Sequence, residues 1–189
     1  GGGHLDGAPG AWAWQGHEQL AEEIFGNPKP GAAGEYHNQS KVVIWHENYK
    51  AVIDMLGICY FTSMWIDAQA LSPDDYASLL STGSGRSFTG DDLMGLGRNL
   101  HQVQKAFNTL HTGHSRVDDH PPRRATEPAK SGPFAGERLD PEKWEAMLDE
   151  YYRANHWDLE TGWQTAESLR APGLDEIAVK LDAFGRLKP

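Results

Sequence analysis

The chain has 189 residues, enough for one substantial core or two small helical ones, with a formal charge of −10 and a pI near 5.3. That acidic balance argues against a nucleic-acid or anionic-membrane surface, which needs clustered Lys and Arg, so neither is an expected partner. The one cysteine, Cys59, excludes an internal disulfide and any zinc or iron–sulfur centre built only from this chain's own thiolates.

The sequence opens Gly1-Gly2-Gly3-His4, with no methionine and already in a motif-like stretch, which predicts that coding sequence continues upstream. No apolar run approaches the roughly 18 residues of a membrane helix, and no basic segment leads into an apolar one, so a cytoplasmic location is expected. From Tyr36 to Leu56 the apolar residues Val42, Trp45, Tyr49, Val52 and Leu56 step by three and four, placing one stripe on a helix. Ser72-Pro73-Asp74-Asp75 reads as a cap, a first-turn proline and first-turn carboxylates, which predicts a helix to about Leu80 and a turn at 83–85. Thr89-Gly90-Asp91-Asp92 repeats the cap and opens the stripe Leu93, Leu96, Leu100, Val103, Phe107 and Leu110, expected to be the central core helix.

Between His114 and Arg138 there is no helical stripe, and Pro121, Pro122, Pro128 and Pro133 punctuate it, with Pro141 just beyond. Residues 114–138 are therefore expected to be an extended surface segment. Asp140-Pro141 caps a helix carrying Trp144, Met147, Leu148, Tyr151 and Tyr152 on one face, and a last helix runs from Leu174 to about Phe184. No segment alternates with a period of two, so the predicted class is all-α, one helical region over 1–189.

The informative hexamer is Asp54-Met55-Leu56-Gly57-Ile58-Cys59, a helix end followed by a glycine that lets the backbone turn and present a carboxylate with a thiol. Such a carboxylate can accept hydrogen bonds from a heterocycle bearing N–H and NH2 donors, and such a thiolate can bind iron. Residues alone favour the plainer reading of a capped helix with a buried cysteine. His17, His37 and His46 form no zinc motif and read as solvated or hydrogen-bonded, while His111, His114 and His120 lie loosely beside Asp118 and Asp119. Trp12 and Trp14, near His4, are candidates to line a substrate channel.

The run from Tyr49 to Phe61 closely resembles the D-x-x-G-L-C element of the tungsten-pterin aldehyde:ferredoxin oxidoreductases, with Ile58 in place of the usual leucine. Ala106-Phe107-Asn108, Asp118-Asp119 with Pro122-Arg123, Met147 to Tyr152, and Trp157-Asp158 with Thr161-Gly162 follow in the family's order, so the likeness covers nearly the whole chain. Gly2-Gly3-His4-Leu5 resembles the family's G-x-C-H element, although Gly3 stands where cysteine is frequent.

The resemblance implies a C-terminal region in which Asp54, with Gly57 and Ile58 shaping the turn, holds a pterin of a tungsten (or molybdenum) bis-pyranopterin. It implies too that Cys59 is the last ligand of a [4Fe-4S] cluster and that His4 is the catalytic proton carrier. It further implies oxidation of an aldehyde to a carboxylic acid with electrons passing to ferredoxin, and N-terminal domains of the same protein as partners. A piece of this kind is expected to be inactive alone, and a homo-oligomer stays open. A sugar-phosphate aldehyde oxidoreductase, a subunit of an aromatic-thioester reductase, and a helical interaction module that has lost catalysis are the alternatives.

Overall fold

Among the described residues, glycine and proline punctuation sets off six α-helices: α1 Glu18–Phe25, α2 Gln39–Leu56, α3 Pro73–Ser84, α4 Gly90–Thr112, α5 Pro141–Ala154 and α6 Asp175–Ala183. The computed structural model describes residues 11–32, 34–170 and 173–189. Among these there is no named strand, only isolated bridges, and the class is all-α as expected. Nor is any described helix long and apolar enough to cross a membrane. The chain forms two compact units, one ending at Lys105 and the other beginning at Ala106.

The first unit is organised on α2. Val42, Tyr49 and Val52 of the predicted stripe are buried, and they pack with Trp14, Phe25, Met64, Trp65, Tyr76 and Leu93 in one cluster. Burying aromatic residues of this size removes much apolar surface from water and dominates the unit's stability. Trp14 meets Phe25 edge-on at 4.9 Å and His46 at 6.1 Å, so it belongs to the core rather than to a channel wall.

Ser72 caps α3 as predicted, accepting from the Asp75 N–H while the Asp75 carboxylate accepts from the Ser72 N–H at 2.8 Å. The helix runs past Leu80 to Ser84, with Gly85 as its left-handed cap. The hydroxyls of Ser81, Thr82 and Ser84 donate to carbonyls four residues back, at 2.7, 2.9 and 2.7 Å, so the polar run that suggested a turn stays helical.

The helix α4 departs from its expected role. Leu93 is buried, but Leu96 is 47% exposed and Phe107 is 61% exposed. Its buried residues include Gln102, Lys105, Ala106 and Thr109, which lie away from the apolar stripe. The cause in its first half is Gly97: with no side chain, it allows α4 to approach the backbone of Asn48 on α2, and that approach selects the inward face.

In the second unit, α5 buries Leu148 and Tyr152 with Trp157, and Ala106, Leu169, Leu174 and Leu181 form a separate small cluster. The segment 114–138 holds no α-helix and is largely exposed, though it contains short 3-10 turns at Arg116–Asp119 and Arg123–Thr126. It also folds back on itself, with the Ala129 N–H donating to Glu137 O and the Gly136 N–H to Ala129 O, both at 2.8 Å.

Candidate functional site

Helix α2 ends in a paired-bond cap. Gly57 takes φ +68°, its N–H donates to Asp54 O at 3.1 Å, and the Ile58 N–H donates to Ile53 O at 3.1 Å. This is the Schellman arrangement, in which the left-handed residue reverses the chain and the next apolar residue packs back on the helix. Ile58 does so, lying partly buried against the first unit's core. With Ile58 turned in, Cys59 on the next residue is turned out and exposed, and Asp54 is exposed on the last helical turn. The structure therefore brings Asp54, Gly57, Ile58 and Cys59 into one turn, while His4 lies outside the described residues.

The chain beyond Cys59 is fixed. The Thr62 N–H and hydroxyl both donate to Cys59 O, at 3.1 and 2.8 Å, and the Ser63 hydroxyl donates to Tyr60 O at 2.6 Å. Tyr60 is buried and stacks on Trp65 at 5.3 Å, and Phe61 meets Trp65 edge-on at 5.0 Å. Behind them the Tyr49 hydroxyl donates to Leu71 O and accepts from the Met64 N–H; burial pushes its pKa up, so it stays a neutral donor. Two large apolar residues, Met55 and Phe61, flank the turn and remain exposed.

Sequence reading missed Lys50. Its ammonium donates to both Asp54 oxygens, at 2.6 and 2.5 Å, and lies 5.3 Å from the centre of the Tyr60 ring. The i,i+4 spacing of Lys50 and Asp54 was the available signal.

The histidines take structural places. His46 is fully buried, its Nδ1–H donating to Val42 O at 2.8 Å, and burial lowers its pKa to about 4. His114 pairs with Asp119 at 3.0 Å and His120 with Glu145 at 3.1 Å. Among the described residues no group of three or more His, Cys, Asp or Glu is disposed to hold a metal ion. The other motif pieces of the second unit meet one another instead. The Tyr152 hydroxyl donates to Asp119 at 2.5 Å, Arg116 pairs with Asp149 at 2.7 Å, and the Arg116 N–H donates to Thr161 O at 2.7 Å. Gly162 lies under Tyr152, where a Cβ would stand 2.7 Å from the hydroxyl.

Residues 1–174 match the family model of aldehyde ferredoxin oxidoreductase, domains 2 and 3. The chain belongs to the aldehyde ferredoxin oxidoreductase family, and it corresponds to the C-terminal region of that family. It is 31% identical over 161 residues to the tungsten-containing aldehyde ferredoxin oxidoreductases of Pyrococcus horikoshii and Pyrococcus furiosus, an alignment covering 84% of this chain and 25% of each relative. The chain thus spans about a quarter of the length of those relatives. Its fold is similar to that of a chain of the active-site complex BamBC of benzoyl coenzyme A reductase in complex with 1,5-dienoyl-CoA. The TM-score is 0.71 at 20% identity, over 99% of this chain and 29% of the other.

Proposed function

We propose that this chain is the C-terminal part of a tungsten-dependent oxidoreductase that converts an aldehyde and water to a carboxylic acid, two protons and two electrons, the electrons leaving through a [4Fe-4S] cluster to ferredoxin. The observation that carries the reading is the α2 cap, which turns a carboxylate and a thiol five residues apart outward from one rigid turn. The donor set fits the two groups. A carboxylate is an acceptor only, as pterin N–H and NH2 groups require, and an exposed thiol can ligate iron as thiolate.

In this reading Asp54 orients the pterin by accepting its hydrogen bonds, and Cys59 supplies one of four cluster ligands. The other three come from outside this sequence, since Cys59 is its one cysteine. The metallopterin, when bound, supplies the two-electron redox chemistry. Met55 and Phe61 cover the groups from water, and His4 carries the proton released at the substrate. A cytoplasmic setting is part of the same reading.

The test is iron content and the cluster's visible and EPR spectra in the full-length protein carrying Cys59→Ala. Loss of iron and of the spectrum is expected. Full iron with an intact spectrum would remove the ligand assignment. The likeness to a benzoyl coenzyme A reductase complex keeps an aromatic-thioester reductase subunit as a second reading at the level of fold. Turnover of aldehydes against aromatic thioesters by the holoenzyme separates the two, and binding without either turnover would favour an interaction module.

A further inference from the structure

We infer that Lys50 is a positioning residue for this turn, a counter-charge that aims Asp54 and sets the reduction potential of the cluster held at Cys59; the inference rests on the reading above. One ammonium touches both arms of the turn. It donates to the two Asp54 oxygens at 2.6 and 2.5 Å, and it lies over the ring of Tyr60, the residue next to Cys59, at 5.3 Å. The Lys50 side chain is only 17% exposed although Asp54 is 53% exposed, so its stem is packed and its head is held in place.

Helix energetics favour the pair only weakly. A carboxylate in the last turn faces the negative end of the helix dipole, and Lys before Asp is the weaker order of an i,i+4 pair. Asp54 is therefore placed against local preference, and Lys50 offsets the repulsion. An ionised carboxylate has about four acceptor positions, so two bonds to Lys50 leave room for two outward bonds to a heterocycle. Fixing the carboxylate from behind is what outward acceptance at a defined angle needs.

The electrostatic consequence has a sign. The pair carries no net charge beside the cluster. Without Lys50 a bare negative charge remains there, which disfavours the added electron; without the Asp54 charge a bare positive one remains, which favours it.

In the full-length holoenzyme, EPR-monitored titration should therefore find a more negative cluster potential in Lys50→Met and a less negative one in Asp54→Asn. The double variant should fall between them, and Lys50→Arg should lie near the parent. Pterin content, measured fluorimetrically after release, should fall several-fold in Lys50→Met with iron retained. Lys50→Gln gives the same charge change if the Met variant folds poorly. If Cys59→Ala loses iron but the two charge changes shift the potential in the same direction, or not at all, this inference fails and the cluster assignment stands. If Cys59→Ala keeps its iron, the assignment itself fails and takes the inference with it.

Discussion

Gly97 on α4 lies so close to α2 that a Cβ at position 97 would stand 2.2 Å from the backbone carbonyl oxygen of Asn48. A backbone atom in a helix cannot swing aside, so a methyl group there forces the two helices apart. Exposed Gly→Ala changes within a helix gain up to about 1 kcal/mol, whereas overpacking costs about 1–3 kcal/mol. Gly97→Ala is therefore expected to lower stability by about 2 kcal/mol. Gly95→Ala, two residues away with nothing within 4 Å of its Cβ, should raise it. Urea unfolding of the two variants checks this, and a gain for both would show that the helices are not in contact at Gly97.

The buried imidazole of His46 gives the first unit an acid-sensitive window. Its Nδ1–H is committed to Val42 O, the bare Nε2 has no hydrogen-bond partner among the described residues, and Phe25 stacks on the ring at 5.6 Å. Burial lowers its pKa from 6.5 to about 4. Between those values the unfolded chain binds a proton that the folded chain refuses, so stability rises with pH across the window and is lost as pH falls through it. The full loss is roughly 3 kcal/mol. Asp75 and Asp92, whose pKa values are held low by cap bonds to Ser72 and Thr89, act only in the more acid range where carboxylates titrate. His46→Phe preserves the aromatic packing and should flatten the dependence between about pH 6.5 and 4, as read from unfolding midpoints at several pH values. An unchanged slope would mean that another group titrates.

How much of this was legible in the sequence depends on what kind of signal each element carried. The stripe Val42, Tyr49 and Val52 foretold the core because α2 packs through its apolar face, and Gly57 foretold the turn because only a left-handed residue closes that cap. The stripe of α4 misled for a physical reason. Periodicity scores side chains, whereas α4 meets α2 through the absence of one at Gly97, and Phe107 is left 61% exposed. Asp54 and Cys59 were named from their motif as candidates, and Lys50 was not, because an i,i+4 charge pair on a helix is ordinary until the loop beyond Gly57 brings Tyr60 beneath it. The same limit hid Arg116, whose partners lie 29 to 43 residues away in the chain.

Arg116 is a cation on which the second unit's motif pieces converge. Its guanidinium donates to Asp149 and to Leu159 O at 2.7 Å each and to Glu145 at 2.6 Å, and it lies 5.3 Å from the centre of the Tyr152 ring. The side chain is only 16% exposed, so these bonds form in a setting partly withdrawn from water. Lysine cannot reproduce them, because a single ammonium has no planar fork to reach two carboxylates and a carbonyl while stacking on a ring. The carboxylates are themselves a third or more exposed, which limits what each ion pair contributes. The larger loss comes from leaving Leu159 O without its donor and from loosening Tyr152, whose hydroxyl is held by Asp119. Arg116→Lys is accordingly expected to cost about 2 kcal/mol, with faster amide exchange along α5 and at Gly162 while exchange along α2 keeps its parent rate. Parent exchange rates along α5 in that variant would show that the apolar cluster of Leu148, Tyr152 and Trp157 holds the unit together without the arginine.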